Sequence, residues 1–169
     1  MNKTVKSIVV LSSIGIILAL VLGGVNILTA PVIAEAERIK TVEALSEVYT
    51  AAESFDKVDI SKVNGLPDTV TEIYRANDGG YVVKLTTTGY SSGLVILCGI
   101  SPEGEVTRAI SIASSETLGY EKTYGDTLKG ATSSTIDGVD TVSRATKTTL
   151  AYRNAVRDAL KTAALLSES

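Results

Sequence analysis

The sequence predicts an α+β architecture: one transmembrane helix at the N-terminus, then a single antiparallel-sheet domain with flanking helices. Three observations carry this expectation. Ser7 to Ala34 contains no charged residue. Four β-type runs joined by short turns occupy the middle of the chain. Helical periodicity precedes and follows them, without the strand–helix alternation of a parallel sheet.

The apolar run reads SIVVLSSIGIILALVLGGVNIL. A spanning helix needs about 20 largely apolar residues, whereas the apolar core of a cleaved signal peptide is about 7–15 residues long, so a retained anchor is expected over cleavage. Lys3 and Lys6 precede the run with no acidic residue, which places the N-terminus in the cytoplasm. The expected organisation is a cytoplasmic N-terminus and transmembrane helix over residues 1–34 and an extracytoplasmic domain over residues 35–169, at the cell (inner) membrane. Asn26 inside the run suits packing on partner helices.

Pro31 can open a second helix at its first turn. Ile39, Val42, Leu45, Val48, Tyr49 and Ala52 then recur at three- and four-residue steps, the period of an amphipathic helix. The cluster Asn64-Gly65-Leu66-Pro67-Asp68 breaks structure. Val70–Arg75 and Tyr81–Thr88 flank the turn residues Asn77-Asp78-Gly79-Gly80 and predict a hairpin. Gly93–Ile100 and Val106–Ala113 flank Ser101-Pro102-Glu103-Gly104, which suits a type I turn. Thr123–Ser143 is rich in Gly, Ser, Thr and Asp and predicts loop with one short helix. A last helix is expected from Thr149 to Leu166.

The charge balance and the missing residue types exclude several functions. The chain has 16 basic and 19 acidic residues, a net charge of −3. An acidic domain is a poor partner for nucleic acid, whose phosphates need a basic face. With no histidine, a Ser-His-Asp triad and a histidine-ligated metal are impossible, and no metal site is expected. The single cysteine, Cys98, lies in the apolar run Leu94–Ile100 and predicts a buried core thiol. Redox chemistry would therefore need an organic cofactor.

Two segments are alike: Asp126-Thr-Leu-Lys-Gly-Ala-Thr132 and Asp140-Thr-Val-Ser-Arg-Ala-Thr146. Each places Asp six residues before a threonine that follows Ala. The second leads into the last helix, where Thr146, Thr148 or Thr149 could serve as a cap. A helix start carrying several hydroxyls beside Arg144 also suits a phosphate.

The run from Gly138 to Val156, GVDTVSRATKTTLAYRNAV, resembles the flavinylation segment of the FMN-binding domain. That domain occurs in the G subunit of Rnf ion-translocating electron transport complexes and in the C subunit of sodium-pumping NADH:quinone reductase. Val25 to Ala34 looks like that family's exit from its membrane helix. Gly80 to Tyr90, Ile96 to Ile100 and Pro102 to Val106 resemble its central strands, and Ser115-Glu116-Thr117-Leu118-Gly119 its Glu-Thr-Pro-Gly loop near the flavin. The compact length is closer to the Rnf G subunit. Departures fall at the site: Arg144 stands where the family has Gly, Leu118 replaces Pro, Ser115 replaces an often basic or His-containing stretch, and Ser91-Ser92 interrupt Gly-Tyr-Gly-Gly.

The resemblance implies an FMN held by a phosphoester on Thr146, with Thr132 the alternative attachment, and Asp140 in the motif read by a flavin transferase. It implies Glu116, Thr117, Ser143, Arg144, Ala145 and Thr148 as further cofactor-binding residues. Tyr81, Tyr90 and Tyr120 are candidates to stack on the flavin. The implied function is electron relay within an Rnf-like complex, beside other membrane subunits and without independent catalytic turnover. A structural or assembly subunit that has lost its flavin is the alternative, and a free-standing flavoprotein a third.

Overall fold

A computed structural model describes residues 11–25, 29 and 43–167. The chain divides into two compact units, Met1–Val42 and Glu43–Ser169. In the first, residues 11–25 are helical and expose their apolar side chains, Leu11 and Leu20 among them. This corrects the transmembrane expectation: among the described residues no helix is long and apolar enough to cross a membrane. Lys3, Lys6, Asn26, Pro31, Ile39 and Val42, on which the orientation and the second helix were argued, lie outside the described residues.

The second unit is built on one five-stranded sheet in the order β1-β2-β3-β4-β5, every neighbouring pair antiparallel. The strands are β1 (Phe55–Val58), β2 (Val70–Ala76), β3 (Tyr81–Thr88), β4 (Ser92–Ile100) and β5 (Val106–Ala113). The last four match the predicted runs to within a residue, because turn chemistry brackets each of them. In the β2–β3 turn the Asp78 carboxylate accepts hydrogen bonds from the Gly80 N–H at 3.1 Å and the Tyr49 hydroxyl at 2.7 Å. β1 was not predicted. Its four residues, Phe-Asp-Lys-Val, carry two charges and form an edge strand, a place where charge and shortness are tolerated.

Side chains alternate across the sheet, and both faces are covered. On one face Ile73, Val83, Leu85, Ile96, Cys98 and Ile100 pack with Tyr152, Val156 and Leu160 of the C-terminal helix, Thr146–Ser167. On the other, Ala76, Val82 and Leu97 pack with Leu45, Val48 and Tyr49, which lie in and just after helical residues 43–48. The second unit is thus α+β, a sheet between helices. Cys98 is fully buried, and burial pushes its thiol up to about 12.

Between β5 and the C-terminal helix the chain makes three 3₁₀ turns, Tyr120–Lys122, Tyr124–Leu128 and Ile136–Gly138, where one short helix was expected. Tyr124 and Leu128 anchor the second and Ile136 the third in the core. The C-terminal helix opens at Thr146, three residues earlier than its apolar period suggested. Polar Thr146, Lys147 and Thr148 hid that first turn from a reading based on hydrophobic spacing.

Candidate functional site

The start of the C-terminal helix is fixed by hydroxyls. The Thr149 hydroxyl donates to Ala145 O at 3.0 Å and accepts from the Val142 N–H at 3.2 Å. Of the three threonines weighed as caps, the buried Thr149 therefore holds the incoming loop to the helix. Thr146 stays exposed, its hydroxyl making only a long 3.4 Å contact with Val142 O. The first-turn N–H groups of a helix have no partner within it, and their dipoles favour an anion.

Arg144, just before the helix, has φ +70° and is the single non-glycine residue with positive φ among the described residues. The look-alike segment shows the same local geometry: Gly130 has φ +77°, and Ala131 and Ala145 are both buried at 6% exposure. The two segments diverge after their threonines. Thr146 begins a helix, whereas Thr132 opens a tight turn, its N–H donating to the Thr135 hydroxyl at 2.9 Å and its own hydroxyl lying 2.9 Å from that of Ser134.

A cavity of about 530 Å³ lies at this helix start. Its wall comes from three segments: Tyr90 in the β3–β4 turn; Glu116, Thr117, Leu118, Tyr120 and Glu121 after β5; and Arg144, Ala145, Thr146, Lys147 and Thr148. Glu116 ties the three together. One of its oxygens accepts from the Ser91 N–H at 3.0 Å, the other from the Thr148 hydroxyl at 2.5 Å. Gly89 makes room for this clasp, since a Cβ there would sit 2.5 Å from Glu116 Oε1 and 3.1 Å from Thr148 Cα.

Of the residues singled out in the sequence, Thr146, Glu116, Thr117, Arg144, Ala145, Thr148, Tyr90 and Tyr120 line the cavity. Ser143 is exposed beside it without lining it, and Thr132 and Asp140 are outside its wall. Asp140 is exposed, and its backbone carbonyl accepts from the Tyr124 hydroxyl at 3.1 Å. Tyr81 belongs to the core and is not available for stacking here. Sequence reasoning missed Lys147 and Glu121. Position beside Thr146 was the available signal for Lys147. None existed for Glu121, a carboxylate only 3% exposed.

The cavity offers two cations, Arg144 and Lys147, and helix N–H groups at one segment, and exposed apolar and aromatic side chains, Leu118, Tyr90 and Tyr120, at the others. Its volume is that of a small-molecule or cofactor site. A planar, phosphate-bearing cofactor fits this donor set. Residues 89–161 match the FMN-binding domain family, from the β3–β4 turn through β4, β5 and most of the C-terminal helix. The match makes this part of the chain similar to an FMN-binding domain. No curated protein matches the chain.

Proposed function

We propose that this protein is an electron-relay subunit of an Rnf-like complex, carrying FMN through a phosphoester on Thr146. The observation that carries the reading is the exposed Thr146 hydroxyl on the first turn of the C-terminal helix, in the wall of the cavity, between Arg144 and Lys147. Thr132 is the weaker attachment candidate, because its hydroxyl is engaged with Ser134 and Thr135 in a turn outside that wall.

When bound, FMN supplies reversible electron transfer; the protein contributes position and electrostatics. Arg144 and Lys147 offset phosphate charge, and the helix start adds N–H donors. Glu116 holds the loop that carries Leu118 against the helix start, so the apolar wall keeps its distance from the cations. Both oxygens of Glu116 are already hydrogen-bonded, which assigns it to positioning. A flavin transferase would install the cofactor, and other redox subunits would supply and accept the electrons.

Intact mass of the full chain produced with an active flavin transferase tests this. The expected result is a gain equal to FMN minus water, lost in Thr146→Ala and kept in Thr132→Ala. Loss in Thr132→Ala alone would move the attachment. No gain in any chain would leave the structural-subunit alternative, in which Arg144 in place of glycine has ended flavinylation.

A further inference from the structure

We propose that Glu121 sets the electron affinity of the flavin by holding a carboxylate in the cavity wall. Glu121 follows Leu118 and Tyr120 on the same segment, entered through Gly119 at φ +73°. It lines the cavity yet is 3% exposed. Its Oε2 atom has no hydrogen-bond partner among the described residues. A buried polar group without a partner costs stability, so packing alone gives no reason for a carboxylate here.

The second carboxylate of the wall makes the contrast. Glu116 spends both oxygens on Ser91 and Thr148, so two donors offset its charge. Glu121 keeps one oxygen free in a setting where water screens little, and charges act there over a longer range than in solvent. Leu118 and Tyr120, 62% and 38% exposed, are the apolar and aromatic surface on which a planar ring system can lie. Glu121 shares its segment with these ring-seating side chains and not with the cations. The phosphate belongs with Arg144 and Lys147, and a carboxylate beside it would repel it.

Reduction of FMN takes up two electrons and two protons, and the reduced ring readily gives back the proton on N1 to become an anion. A carboxylate near the ring disfavours that anion and so favours the oxidised form. The ring N3–H, present in both oxidation states, is a donor that the free oxygen lacks. It is a stronger donor in the oxidised ring, which pulls the equilibrium in the same direction.

This inference rests on the FMN reading above. Its test is a potentiometric titration of the full chain loaded with FMN, with dithionite as electron source, mediator dyes and solvent protons. Glu121→Gln should raise the ratio of reduced to oxidised FMN affinity about tenfold, which is about 30 mV for a two-electron couple. Glu121→Asp, keeping the charge, should stay within about threefold of wild type. A folded, FMN-loaded Glu121→Gln chain with an unchanged potential overturns the proposal and leaves the flavin reading intact. Should that variant fail to fold, the wild-type chain still decides: its bound FMN should lose the N3 proton at a higher pH than free FMN. Loss at the same pH overturns the proposal. A wild-type chain that takes up no FMN removes both readings together.

Discussion

The Thr148 hydroxyl donates to Glu116 Oε2 at 2.5 Å, joining the first turn of the C-terminal helix to a loop 32 residues earlier in the chain. With the Ser91 N–H on the other oxygen at 3.0 Å, this carboxylate ties the helix start to the end of the paired strands β4 and β5. Glu116→Ala is expected to cost about 1.5–3 kcal/mol, the range for hydrogen bonds to a charged group. Thr148→Val, which removes one donor, should cost less. Urea unfolding of the two variants checks the order, and equal effects would mean that the Ser91 contact adds nothing.

Arg144 at φ +70° occupies a backbone region that costs a residue with a Cβ about 1–2 kcal/mol. Arg144→Gly relieves that strain and adds freedom to the unfolded chain, so the net expectation is a gain of up to about 1 kcal/mol. The same variant loses a guanidinium from the cavity wall and should bind free FMN several-fold more weakly. Stability and affinity moving in opposite directions, measured by unfolding and by flavin titration, is the signature. A parallel loss of both would assign Arg144 to folding.

Two buried tyrosines separate a satisfied hydroxyl from an orphaned one. Tyr49 donates to Asp78 at 2.7 Å, whereas the Tyr152 hydroxyl has no partner among the described residues. Tyr49→Phe should lose about 1–2 kcal/mol, and Tyr152→Phe should be neutral or slightly stabilising.

Burial, reinforced at Tyr49 by hydrogen bonding to Asp78, raises the ionisation of Tyr49 and Tyr152 well above the ordinary tyrosine value. A phenol whose folded-state value is raised contributes stability that is complete below the unfolded value, about 10, and is lost as pH climbs past it. Thermal melts should therefore fall off above about pH 10, less steeply in Tyr152→Phe. A flat profile to higher pH would show that these phenols are ionised freely in the folded chain.

Cys98, fully buried and with its thiol pushed up to about 12, should react with a thiol reagent only through unfolding. Labelling in the native chain is expected to slow in step with any stabilising variant. Rapid labelling at neutral pH would place the thiol at an accessible edge.

Legibility followed how local each cause was. β2 to β5 could be read because Asn-Asp-Gly-Gly and Ser-Pro-Glu-Gly are turn signals that act within four residues. β1 could not, since Phe-Asp-Lys-Val becomes a strand only by pairing with Tyr74 and its neighbours. At the site, hydroxyls and Arg144 before a helix pointed to Thr146. Recognising Glu121 required knowing that a segment after Gly119 folds back under the cavity, a tertiary event without a sequence signature. The positive φ at Arg144 was foreshadowed only by its match to Gly130.

The meander has a consequence for timing. Each strand pairs with its sequence neighbour, so the sheet can zip together through short loops, the quick kind of contact. The cavity closes differently: its wall needs positions 90, 116 and 148 to meet, and so it needs the last helix docked on the sheet. A chain truncated before Thr146 should therefore keep the sheet and lack this cavity.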